Sequence, residues 1–398
     1  VSFGDYLAGS LPADVTRHYD IVGFDPRGVG LSAPIVCMDG RQTTRLNRTD
    51  VTPDSPREIS ILMERARALA EGCLARTPEL ARHIGTDNTV RDMDILRQAL
   101  GDEQLNFLGY SYGTYLAAEY AELFPDRVGR FVLDGAVDPN LDMMRLSQDQ
   151  SEGFQLALSR FADDCASRSR CPWTGDGSAV LEGIDRLLRK LDSRPLPGLS
   201  GEPLVQAEAL TAVFYSMYSP QLWPLLRSAL REARQGDGSE LSTLYSYATE
   251  RTGPDRYGSN MASAFPAIAC WDRPAPPGAP GLAAAARRWS RGVAVPELAR
   301  AMAWGNAPCS VWFGHTSRPV EPARSTTAAP MLIIGGLHDP ATPYAWAQAL
   351  HRQLPTSVLL TFTGDGHTAY GNGSDCVDPA VDAYLVHGTL PAPDTRCR

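Results

Sequence analysis

The chain has 398 residues, with 37 Lys and Arg against 46 Asp and Glu and a formal net charge of -9. That length suits one large core carrying a substantial insertion, or two domains, and 43% hydrophobic with 21% charged residues is ordinary for a globular protein. No long Lys/Arg block favours nucleic acid as a partner, and no apolar run is long enough for a membrane span.

In chain order, Phe3 to Leu11 suits a short helix, and Tyr19 to Phe24 a buried strand closed by the turn signal Asp25-Pro26-Arg27-Gly28. Residues 29–84 form an irregular excursion with a helix near Ile59 to Ala75, and Asn88 to Leu100 is a helix ended by Gly101. A strand over 105–109 runs into Gly109-Tyr110-Ser111-Tyr112-Gly113, followed by a helix-forming run from Thr114 to Phe124. Val128 to Leu133 is the next strand. Strands alternating with helices predict an α/β fold whose mainly parallel sheet is covered on both faces. That rhythm stops near Pro139, and helical segments follow around 179–191, 205–216 and 221–234, with a Pro-rich turn or linker over 274–280. The sheet resumes at Met331 to Ile334. Thr342-Pro343 then opens a helix through Gln353, with threonine as the cap and proline in the first turn, and Ser357 to Phe362 is a further strand. The predicted organisation is therefore 1–139 as the N-terminal part of the core, 140–325 as a mainly helical inserted lid, and 326–398 as the C-terminal part of the core.

Eight cysteines are scattered without a C-x-x-C pair or zinc-like spacing, so no metal site is expected. An even count favours disulfides and an exported, extracytoplasmic protein. Sequence order suggests the pairs 37–73, 165–171, 270–309 and 376–397, although eight cysteines permit many other complete pairings.

A strand, a sharp Gly-x-Ser-x-Gly turn and a helix form the context of a nucleophile elbow. Small residues at 109 and 113 let strand and helix approach closely and hold Ser111 in a strained backbone position. Two later strands end in Gly335-Gly336-Leu337-His338-Asp339-Pro340 and Gly364-Asp365-Gly366-His367-Thr368. The order Ser, Asp, His is that of an α/β-hydrolase, whose reactive groups collect at the carboxyl ends of the parallel strands. Ser111 is a poor nucleophile unless its proton can leave. His367 can accept that proton and return it to the leaving group, while Asp339 holds the histidine tautomer. Asp365 is the competing acid, two residues before the histidine. No cofactor is required. An oxyanion hole would take one donor from the backbone N–H of Tyr112. The second donor comes from a loop after an earlier strand, and no Gly-rich loop stands before residue 19. The expectation is that the earliest strands and this donor lie outside the chain, removed or carried by a separate N-terminal fragment that completes the core. The alternative is a hole built from other groups.

The chain resembles the tripeptidyl aminopeptidase branch of the prolyl-iminopeptidase-like α/β-hydrolases, mostly secreted actinobacterial serine exopeptidases. The resemblance rests on Tyr19-Asp20-Ile21-Val22-Gly23-Phe24-Asp25-Pro26-Arg27-Gly28-Val29-Gly30, the elbow with Thr114-Tyr115, Phe124-Pro125-Asp126-Arg127-Val128, Val132-Leu133-Asp134-Gly135 with Val137-Asp138-Pro139, Ala269-Cys270, and the Asp339 and His367 motifs. It implies Ser111, Asp339 and His367 as the triad and Tyr112 as an oxyanion donor. The family's Gly/Pro-rich oxyanion loop would directly precede the segment resembling Val1 to Leu11 and is absent here.

An aminopeptidase must hold a free N-terminal ammonium, which a carboxylate in a partly dry pocket can do. Asp272, beside Cys270 and Trp271, and Glu208 are the candidates in the lid. Arg27 is expected to pair with a carboxylate and hold its loop. The leading expectation is an exopeptidase acting on peptides with a free N-terminus. The alternatives are a carboxylic-ester hydrolase using the same triad, and a catalytically incomplete binding or assembly protein.

Overall fold

The computed structural model describes residues 9–315, 320–326 and 328–398. Five strands pair side by side: β1 (Leu105–Tyr110), β2 (Val128–Asp134), β3 (Leu332–His338), β4 (Val358–Asp365) and the short β5 (Arg396–Cys397). Every ladder among them is parallel. Parallel pairing needs a crossover between strands, and helices supply it. These are α1 (Thr86–Leu100) before β1, α2 (Tyr112–Leu123) after it, α3 (Tyr344–Gln353) between β3 and β4, and α4 (Val377–His387) between β4 and β5.

Side chains alternate across the sheet, as a period of two demands. Phe131, Leu133 and Ile333 pack with Met93 of α1, Tyr120 of α2 and Leu350 of α3. Val132, Leu332, Ile334 and Leu360 pack with Val381, Tyr384 and Leu385 of α4. Each face is thus sealed by apolar helix surface. All five strand directions then deliver their carboxyl ends to one edge.

The chain divides into two compact units, one of Val1–Pro34, His83–Leu141 and Arg318–Arg398, the other of Ile35–Arg82 and Asp142–Ser317. The first holds the sheet. The second is mainly helical, and takes the excursion Ile35–Arg82 along with the inserted segment. Its helices start where expected chemically: Ser55 and Glu58 form a capping box on Pro56–Arg76, and Asp142 and Asp176 cap Met143–Ala166 and Gly177–Ser193. All four disulfides form in the order the sequence suggests. Three lie within the helical unit. The fourth, Cys376–Cys397, ties the start of α4 to β5.

Two expectations change. Tyr19–Phe24 has no ladder partner among the described residues. An apolar cavity of about 410 Å³ instead separates Ile21, Val22 and Phe24 from Phe107, Leu108 and Gly113, along the side of β1 that does not pair with β2. The helix beginning at Tyr344 has Pro343 as its N-cap residue and no side-chain cap, so Thr342 is not the cap. The first predicted helix, Phe3 to Leu11, falls mostly on residues outside those described.

Removing Cys376–Cys397 by paired serine substitution frees a 21-residue separation in the unfolded chain. The expected loss is about 2–4 kcal/mol, read as a lower urea midpoint than wild type.

Candidate active site

Ser111 sits between β1 and α2 with φ 52° and ψ -117°, a backbone conformation that L-residues avoid. The turn is held by its neighbours. Ser111 N–H donates to the carbonyl of Asp134 at 2.9 Å, and the Thr114 hydroxyl donates to the carbonyl of Ser111 at 2.6 Å. Gly109 is needed for space: a Cβ there would stand 2.7 Å from the Gly113 carbonyl oxygen and 2.7 Å from the Phe107 ring. Gly113 is different from the expectation, because a Cβ there meets nothing within 4 Å and points to open space. Tyr112 is the first residue of α2, where backbone N–H groups have no partner within the helix.

β3 and β4 are hydrogen-bonded neighbours, so the loops after them meet. Asp339 follows β3, is 3% exposed, and places both carboxylate oxygens 2.9 Å from His367 Nδ1. Its Oδ1 accepts the N–H groups of Ala341 (2.9 Å) and Thr342 (2.8 Å). Its Oδ2 accepts the Thr342 hydroxyl (2.9 Å) and the Thr368 N–H (3.2 Å). Four donors besides the imidazole therefore satisfy a buried carboxylate that would otherwise be costly. The Thr342 hydroxyl donates to this carboxylate, and the helix that follows takes Pro343 as its N-cap residue. With Nδ1–H donated to Asp339, Nε2 keeps its lone pair for a proton. Burial alone would push the imidazole pKa down, but the Asp339 carboxylate outweighs it and the net shift is upward from 6.5.

The competing acid is engaged elsewhere. Asp365 Oδ1 lies 3.5 Å from His338 Nδ1, so the two Asp/His neighbours sort into His338 with Asp365 and His367 with Asp339. Arg27 makes a bidentate pair with Asp92 of α1 at 2.7 and 2.6 Å and donates to the His83 carbonyl, which holds its loop as expected.

The end of β2 joins these parts. Asp134 pairs in register with Tyr110, the residue before the serine, and with Ile334 of β3. Gly135, at φ 69°, packs where a Cβ would be 3.0 Å from Thr342 Oγ1, 3.1 Å from Thr368 Cγ2 and 3.2 Å from His367 Cε1. Ser111 bonds Asp134, and His367 lies against the next residue, Gly135. Asp134, Gly135 and Thr342 carry no nucleophile or base signature, so motif spacing gave them no role. An aspartate directly after the apolar run Phe131-Val132-Leu133 was the available signal.

The remaining candidates lie in the helical unit. Glu208 is 3% exposed and its oxygens accept from Arg48 (2.8 Å) and from the Val205 N–H (3.0 Å). Its charge is committed to an ion pair and a helix start. Asp272 is the last residue of the helix Met261–Asp272 and is half-buried. Cys270 in that helix is bonded to Cys309, and the Cys270 carbonyl lies 2.8 Å from His315 Nδ1. Among the described residues no His/Cys/Asp/Glu cluster could hold a metal ion, and no helix is long and apolar enough to cross a membrane.

Residues 295–397 match the family described as TAP-like protein. Over 402 residues the chain is 35% identical to the serine protease Hip1 of Mycobacterium tuberculosis (strain H37Rv), covering 98% of this chain and 76% of the relative. It is 38% identical over 406 residues to the carboxylesterase B of the same strain, covering 99% and 77%. It is 33% identical over 394 residues to the tripeptidyl aminopeptidase of Streptomyces lividans, covering 97% and 71%.

Gly135→Ala should destabilise the first unit by about 1–3 kcal/mol, combining a positive φ with crowding of His367, Thr342 and Thr368. Urea unfolding measures it; wild-type stability would contradict this packing.

Proposed function

Because this chain belongs to the α/β-hydrolase family of tripeptidyl aminopeptidase- and Hip1-like serine hydrolases of actinobacteria, we propose that it is a serine exopeptidase that releases short peptides from free N-termini. The observation that carries this reading is the buried Asp339–His367 bond at the same strand edge as the strained Ser111 turn.

In this mechanism His367 Nε2 takes the Ser111 proton as Oγ attacks the scissile carbonyl. Asp339 stabilises the imidazolium. The oxyanion forms at the start of α2, where the Tyr112 N–H and the helix dipole favour negative charge. His367 then returns the proton to the departing amine, and water releases the acyl group by the same relay. Asp272 receives the substrate ammonium: a carboxylate at a helix C-terminus adds to the partial negative charge of the last carbonyls and favours a cation there. Glu208 is the weaker candidate for this role, since Arg48 already neutralises it. Four disulfides favour an extracytoplasmic setting.

A further strand, supplied from outside the described chain, fills the cavity between Tyr19–Phe24 and β1 and brings the second oxyanion donor. Its support is the unpaired side of β1 and the apolar lining. An ester-hydrolase reading draws on the similarity to carboxylesterase B and uses the same three residues.

The deciding assay compares a tripeptide amide bearing a free N-terminus with its acetylated form. The expected preference for the free amine is about tenfold or more in kcat/KM, and Ser111→Ala should lower the rate by about 10⁴-fold or more. Equal rates on the two forms would favour the esterase reading, and an active Ser111→Ala would remove both.

The filled cavity has its own test. In open space Gly113→Ala should be neutral or stabilising by up to about 1 kcal/mol, whereas beside a seated strand it should cost at least that much. Urea unfolding of the purified enzyme decides, and a neutral result removes the strand.

A further inference from the structure

We propose that Asp134 is the positioning residue that locks the nucleophile turn and the histidine loop into one geometry, a role resting on the Ser111–His367–Asp339 reading. Its main chain and side chain hold opposite halves of the site. The backbone carbonyl accepts the Ser111 N–H at 2.9 Å. The carboxylate reaches across to the loop after β4: Oδ2 accepts the N–H groups of Ala369 (2.9 Å) and Tyr370 (2.8 Å), and Oδ1 lies 3.1 Å from the Ala369 nitrogen. Those two amides follow His367 by two and three residues. The strand that carries Asp134 is itself pinned on both sides, by β1 and β3. Asp134 thus links the serine turn to the histidine loop directly, alongside the bonds that Asp339 makes to His367 and Thr368.

A carboxylate is an expensive way to hold two amides. Asp134 is 1% exposed and has no Lys or Arg partner among its hydrogen bonds. Burial pushes its pKa up to about 7, the two N–H donors pull it down, the nearby Asp339 charge pushes it up and His367 pulls it down. The charged groups facing it are thus Asp339 from the loop after β3 and His367 from the loop after β4. A raised acid pKa means that the ionised form costs folding stability: the loss grows as pH rises from 3.8 towards 7 and is constant above that. That cost is offset when the imidazole beside it is positive, the state that catalysis must reach. The Asp134 charge acts in the direction that raises the His367 pKa.

Three substitutions separate the parts of this role, each read as kcat and KM separately, as the acid limb of kcat/KM against pH, and as active sites titrated by a fluorophosphonate. Asp134→Ala removes the acceptors and should lower kcat about 100-fold, with KM within about twofold. Asp134→Asn keeps an acceptor and removes the charge; kcat should fall about tenfold and the acid limb should move to lower pH. Asp134→Glu keeps the charge but moves the oxygens, so kcat should fall with the limb unmoved. If Ala fails to fold, Asn and Glu still decide. A folded Asn variant with an unmoved limb, whose loss only tracks the fraction of titrated sites, makes Asp134 merely structural and overturns the proposal. Ser111→Ala is the control for the triad: full activity there sinks the triad reading whatever the Asp134 variants do.

Discussion

The buried bond from His367 Nδ1 to Asp339 is the interaction on which the proposed site depends. An imidazole free to rotate would offer either nitrogen to the serine. Donation of Nδ1–H to a carboxylate fixes both tautomer and ring plane. The bond persists in a dry place because the carboxylate has other work for its lone pairs, with Ala341, Thr342 and Thr368 all donating to it. Removing any one donor would leave charge less well solvated, so the loop after β3 is constrained by electrostatics as much as by packing.

That pair can form only because the strands before it are adjacent and parallel. Asp339 and His367 are separated by α3 and β4 in sequence, yet the β3–β4 ladder brings their loops to one edge. The same rule places Ser111 beside Asp134 through β1 and β2. Two glycines mark where backbones come too close for a side chain. Gly109 passes under the α2 carbonyl of Gly113, and Gly135 lies against the imidazole and Thr342.

Much of this was legible before any coordinates. Ser111 declares itself because strand, Gly-x-Ser-x-Gly and helix are contiguous, and Asp339 and His367 because each follows an apolar run. The four disulfides followed the simplest sequential pairing. What escaped depends on partners distant in the chain. Tyr19–Phe24 has the composition of a strand, but a ladder needs a neighbour, and composition cannot supply one. Thr342 has the signature of a helix cap, but the helix starts one residue later, with Pro343 at the N-cap, and the threonine hydroxyl donates to Asp339 three residues before it. Ile35–Arg82 has no periodicity that shows which core it joins; Leu62, Met63 and Ala66 reveal that only by packing with Leu282, Trp289 and Trp304. Asp134 resembles the end of any strand until the amides of Ala369 and Tyr370 are found on its carboxylate.

Two carboxylates and one imidazole share this edge of the sheet, and their division of labour follows from their donors. Asp339 bonds the ring directly and takes a hydroxyl and backbone amides, so its charge is held close to Nδ1. Asp134 lies near the same ring and spends its oxygens on the loop that carries it. Exchanging the two would fail: a carboxylate at 134 pulled towards the ring would release Ala369 and Tyr370, and with them the loop. In the proposed mechanism, charge near the imidazolium and order in the histidine loop come from one side chain, at a position whose backbone carbonyl already accepts the Ser111 N–H. Under the proposed triad, the end of β2 is where stability and catalysis meet, since the buried Asp134 carboxylate that costs folding energy also holds the histidine loop.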